Sequence, residues 1–172
     1  MKEFKNLIIL GPLVYALHHF EEHIIFNFRE WRLKYFLDNN PLSTEEVLLR
    51  LISILLIMVL VHTVKNNKGS AHIVLFFLMT TQVMNALFHV FFSIYFNDLS
   101  PGTITAVLLY LPTNYLIIKA AFNEGHIENK IELLMIILAA LIIFLLFELI
   151  GPEVIGYCLI LMPIYYIWMN KT

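Results

Sequence analysis

Apolar residues run along this chain in blocks long enough to cross a bilayer, and short polar clusters divide the blocks. A hydrocarbon core of about 30 Å takes roughly 20 helical residues, because no backbone amide can be left unpaired there. Six blocks meet or approach that length: about Asn6 to Phe28, Ser43 to Val64, Ala71 to Phe96, Ser100 to Asn123, Glu132 to Ile150 and Glu153 to Trp168. Ser43 and Glu46 have capping-box spacing, and Asn66, Asn67 and Gly69 close that block. Ser100 and Pro101 suit a cap and a first helical position, while Gly151 and Pro152 part the fifth block from the sixth and shortest. The pattern predicts an all-α, polytopic membrane helix bundle of about six transmembrane helices, forming a single domain over residues 1–172. The connections are short except for an amphipathic stretch from Arg29 to Asn40, whose Trp31, Tyr35 and Phe36 suit a membrane interface.

Composition agrees. Of 172 residues, 60% are hydrophobic and 14% charged, against about 45–50% and 25% in ordinary soluble domains. A soluble core of this size cannot bury so much apolar surface. The formal charge is -2 and the lysines are scattered, so there is no basic stripe for nucleic acid; membrane lipids are the expected partner. The single cysteine, Cys158, lies in an apolar run and allows no internal disulfide. Lys2 and Lys5 before Leu7 to Leu17 resemble a secretory signal, yet no small-residue cleavage site follows, and the block reads as a retained first helix. With six crossings, Lys2, Lys5, Lys65, Lys68, Lys119, Lys130 and Lys171 share one side and Arg29, Arg32, Lys34 and Arg50 the other. This bias predicts cytoplasmic N- and C-termini. Frequent Ile, Asn and Lys with scarce Arg suggest a prokaryotic cell membrane.

Two polar features interrupt the apolar blocks. In the first, His18, His19, Glu21, Glu22 and His23 fall between Leu17 and Ile24. A charged side chain near mid-bilayer costs at least about 2.5 kcal/mol, so these groups need partners or a cavity. At 100° per residue His18, Glu21 and Glu22 share an inward arc with Tyr15 close by, which leaves His19 and His23 for another helix or the interface. In the third block Gln82, Asn85, His89 and Ser93 make one polar stripe. Counted along alternating spans, His18 to Glu22, His89, Pro101 with Gly102, and Glu148 all reach the same level on the same side.

The order of these elements resembles the HXXEE-domain membrane proteins. The motif stands here as His18, His19, Phe20, Glu21, Glu22; Asn85 and His89 match an Asn and His four apart; Leu99, Ser100, Pro101, Gly102 match a Tyr-x-Pro-Gly element with leucine in place of the tyrosine. The resemblance covers roughly Leu7 to Pro112 and implies no established activity.

Imidazole and carboxylate converging from separate helices suit a divalent metal ion: zinc, iron or manganese. The expected ligands are His18, Glu22 and His89, with Glu21 as a further ligand or general acid/base, Asn85 orienting a bound molecule, and Glu148 outside them. The expected function is a metal-dependent hydrolase or oxidase acting on a hydrophobic or lipid-like substrate. Arg29, Arg32 and Lys34 stand where an anionic headgroup would lie, and equally where ordinary interface anchors do. Two other readings compete. Proton-coupled or solute transport requires polar groups on to the opposite side, where only Asn114, His62, His72 and Lys119 are found. A non-catalytic assembly protein would use the same groups only to fix helix packing.

Overall fold

The computed structural model describes residues 3–38 and 40–171; Lys2, one of the charges behind the expected orientation, lies outside them. Among the described residues the chain is helical and has no strand. The helices are α1 (Glu3–Leu7), α2 (Leu10–Phe20) with a π turn (Glu21–Ile25), α3 (Phe28–Tyr35), α4 (Thr44–Lys65), α5 (Lys68–Tyr95), α6 (Thr103–Asn123), α7 (Lys130–Ile150) and α8 (Glu153–Met169). Four of them, α4 to α7, are long and apolar enough to cross a membrane. The first expected block is broken, and α8 has 17 residues.

The break has a cause in the sequence. Pro12 lacks the N–H that would bond Ile8 O, so that carbonyl accepts from Gly11 N at 3.1 Å and the helix restarts at Leu10. The broken segment still runs the length of α6. At one end Phe4 N donates to Glu124 Oε1 at 2.6 Å, and at the other the Glu21 carboxylate accepts from the amides of Ile104 and Thr105.

Ser43 and Glu46 form the expected capping box at the start of α4. The expected cap of α6 is different. Its helix begins two residues later than Pro101, after Gly102 at φ 93°, and no side chain of its own caps it.

α5 is the central helix, packed by α4, α6, α7 and α8. Around it lies an apolar core including Phe4, Leu55, Leu75, Leu78, Met79 and Ile117. A smaller cluster of Val14, Tyr15, Ala86, Ala106 and Tyr110 lies toward the motif. Between these layers Gln82 Nε2 donates to Gly11 O at 2.9 Å and Asn114 Nδ2 donates to Gln82 Oε1 at 2.8 Å. Such interhelical hydrogen bonds hold helices together where the solvent is as apolar as the side chains. Gly11 also leaves room for Leu78, whose Cδ2 would lie 2.9 Å from a Cβ at that position. The outer faces of α4 and α7 expose Ile57, Leu60, Ile142 and Leu145, as a lipid-facing surface requires.

The amphipathic connection folds back over the motif end. Asn27 caps α3 by accepting from Glu30 N, and Trp31 is buried against Phe28, Tyr35 and Phe96. The three cations expected at headgroup level are ion-paired: Arg29 with Asp38 at 2.6 Å, Arg32 with Glu148 at 3.0 Å and Lys34 with Asp98 at 3.8 Å. The Arg29 guanidinium holds the Asp38 carboxyl below the usual carboxylate range.

Candidate metal centre

Three π turns interrupt the helices that carry the site: Glu21–Ile25, Met79–Met84 within α5 and Ala106–Tyr110 within α6. In the first, Phe26 N reaches Glu21 O at 3.0 Å, an i to i+5 bond. A wider turn rotates each residue by less than the 100° of an α-helix. His23 therefore stays nearer the inward face than an α-helical wheel places it. The second turn lies directly before Asn85 and sets the face on which Asn85 and His89 appear. The third precedes Pro112, whose missing N–H an unbroken α-helix would have had to supply.

His18, Glu22 and His89 come together as the sequence leads one to expect, and all three are buried. Their donor atoms lie within 4.8 Å of one another. His18 Nε2 is 3.6 Å from Glu22 Oε2, and His89 Nε2 is 3.4 Å from Glu22 Oε1. The other ring nitrogens are tied back by hydroxyls: His18 Nδ1 to Thr105 Oγ1 at 2.9 Å and His89 Nδ1 to Ser100 Oγ at 2.8 Å. Each hydroxyl fixes its ring and leaves Nε2 turned toward the carboxylate, where neither nitrogen has a well-formed hydrogen bond. Tetrahedral ligands at about 2.0–2.1 Å from an ion stand roughly 3.3 Å apart. The two separations are close to that spacing and longer than a charge-assisted hydrogen bond of about 2.7–2.9 Å.

The Ser-Pro-Gly turn makes this convergence possible. Ser93 Oγ donates to His89 O at 2.6 Å and accepts from Ser100 N at 2.8 Å, which anchors the turn on α5. Gly102 is pressed against both imidazoles: a Cβ there would lie 2.7 Å from His18 Cε1 and 3.1 Å from His89 Cε1. Tyr110 packs at a tilt against His18 with ring centroids 4.4 Å apart, and its hydroxyl is buried with no hydrogen-bond partner among the described residues.

The other expected residues fall around this centre. Both Glu21 oxygens are engaged, accepting from Ile104 N at 3.2 Å and Thr105 N at 2.7 Å, so Glu21 caps α6 from another helix. Asn85 has a buried Oδ1 without a hydrogen bond and lines the adjoining cavity. Glu148 lies on the same cavity but pairs with Arg32. His19 and His23, expected to point elsewhere, are drawn in; His23 Nε2 is 3.3 Å from Glu22 Oε2. Gln82 and Ser93 serve packing and the turn. Thr105, Tyr110 and the roles of Ser100 and Gly102 were not legible as site features, because only the tertiary contact defines them.

The cavity, about 180 Å³, begins at His18, Glu22 and His23 and continues as an apolar groove. α4 contributes Leu51, α5 Thr81, α7 Phe144 and Phe147, and α8 Cys158 and Met162, while Arg29 and Asp38 stand at its polar end. At the opposite end of the bundle lies a separate group. There His62 bonds Ser70, His72 bonds Tyr165 Oη and His126 O, and Lys68 pairs with Glu132. His126 was missed in the sequence because it follows Gly125 in a loop outside every apolar block.

No curated protein and no solved structure matches the chain. A family model does, over residues 9–117, a stretch that holds the motif, the Asn85 and His89 pair and the Ser-Pro-Gly turn but not α7 or α8. The chain belongs to the family described as protein of unknown function with HXXEE motif.

Proposed function

We propose that the protein is a membrane enzyme in which His18, Glu22 and His89 hold a divalent cation beside a groove for a lipid-like substrate. The observation that carries this reading is the pair of Nε2 atoms held toward one carboxylate at ion-ligand spacing, each ring fixed through its far nitrogen. Two imidazoles and a carboxylate leave positions open on the ion, the arrangement of catalytic rather than structural sites. Such an ion supplies Lewis acidity or an activated water. The chain's own groups divide the remaining work. Glu21 holds the start of α6 in register, Asn85 lines the cavity and has a buried carbonyl oxygen that lacks a hydrogen bond, and Phe28 stands edge-on to His89 with ring centroids 5.2 Å apart. The apolar groove running from the ligands supports a substrate with a hydrocarbon tail.

The protein works with about six crossings, α1 with α2 forming the first and α8 the last. Supporting this, α1 and α2 together match the length of α6, and Tyr166 at the end of α8 bonds Asn67 at the start of α5. The lysine bias then puts both termini in the cytoplasm of a prokaryotic cell and the metal centre toward the outer face. Transport has weaker support, because completely buried Leu75, Leu78, Met79 and Ile117 fill the core between Gln82 and His72.

Elemental analysis of detergent-purified protein tests the reading. Wild type is expected to carry a divalent metal that falls in both His18→Ala and His89→Ala, and metal-loaded protein to turn over a component of a membrane lipid extract. Well-folded wild type that binds no metal would overturn it.

A further inference from the structure

Glu22 serves more than the two imidazoles just described. On its other flank, one turn apart on the same helix, His19 and His23 stand with ring centroids 4.4 Å apart, and their donors with Glu22 form a second group within 4.8 Å. The His23 Nε2 distance of 3.3 Å from Glu22 Oε2 has the spacing of two ligands on one ion. Four imidazoles thus surround one carboxylate. His19 is buried, and its ring is tilted against that of His23.

Resting on the metal reading above, we infer that Glu22 bridges two cations: one held with His18 and His89, the other with His19 and His23. A carboxylate has two oxygens for this purpose. Glu22 Oε1 faces His89, and Oε2 faces His23 on one side and His18 on the other. Each ion would have two imidazoles and a shared carboxylate, with the remaining positions open to water or substrate, and paired ions about 3.5–4 Å apart are a recurring device for clamping two oxygens of a reacting group.

The substrate class narrows accordingly: an amphiphile whose reacting group offers two oxygens, a phosphate or carboxylate ester, with its chain in the groove. The π turn at Glu21 is what allows this geometry, since it keeps His23 beside Glu22.

Zinc titration of chelator-stripped, full-length protein in detergent, followed by removal of free metal and elemental analysis, decides the matter. The expected result is two zinc ions per chain in wild type, and one in His19→Ala and in His23→Ala. Manganese loading gives a second readout: the spectrum of spin-coupled ions in wild type and of an isolated ion in His23→Ala. One zinc per chain in wild type would overturn the second ion and leave the first; none would overturn both. Wild type alone decides this, even if the variants fold poorly.

Discussion

Gly102 lies so close to His18 that a methyl group on its Cα would come within 2.7 Å of the imidazole Cε1. The contact joins two segments of the matched stretch, since the glycine belongs to the Ser-Pro-Gly turn and the histidine to the helix that carries the HXXEE motif. The φ of 93° at this position is one that an L side chain rarely adopts.

Gly102→Ala is therefore expected to push both imidazoles away from Glu22. Zinc affinity should fall by roughly tenfold or more, the range found when the support around metal ligands is removed. Isothermal titration of the purified variant checks this, and unchanged affinity would show that the close packing is not needed for binding.

Glu21 gives a contrasting expectation. Its carboxylate caps the start of α6 by accepting two backbone amides, so Glu21→Ala should cost about 1–3 kcal/mol of stability, the usual value for a buried group left without a charged partner. Metal content should be retained in protein that remains folded. Denaturation in detergent together with elemental analysis separates this role from that of a ligand: loss of metal with no loss of stability would reverse the assignment.

Why some of this could be read in advance and some could not is a matter of range. The start of α4 and the break between α7 and α8 follow from local chemistry, the Ser43 and Glu46 box and the Gly151 and Pro152 pair, whereas the start of α6 does not. The shared level of His18, Glu22 and His89 follows from counting rises along alternating helices. The placement of His19 and His23 does not, because an α-helical wheel assumes 100° per residue and the chain widens to a π turn at Glu21. Nor do the engaged state of Glu21 or the hydroxyls behind each imidazole, which depend on where α6 begins relative to α2. The interruption at Ile8 was available from Pro12, whose effect on a carbonyl four residues back is local.

The polar bridge at mid-bilayer is expected to serve packing alone. Gln82→Leu removes the bonds to Gly11 and Asn114 and should lower stability by about 0.6–2 kcal/mol without changing metal stoichiometry. Unfolding in mixed micelles measures the first quantity and elemental analysis the second; a variant that loses metal would bring Gln82 into the site.

Arg32 and Glu148 fasten α3 to the end of α7 beside the groove. A double-mutant cycle with Arg32→Ala and Glu148→Ala should show coupling of about 0.5–3 kcal/mol, as residues in contact do. Labelling of Cys158, which lines the groove, should be faster in Arg32→Ala than in wild type. Equal labelling rates would mean that α3 does not restrict the groove.

X-ray absorption at the metal edge of zinc-loaded protein tests the proposed centre most directly. The account predicts nitrogen and oxygen donors at about 2.0–2.2 Å with the multiple scattering of imidazole, reduced in both His18→Ala and His89→Ala. An ion surrounded by water alone, or an imidazole signal that neither substitution changes, would contradict it.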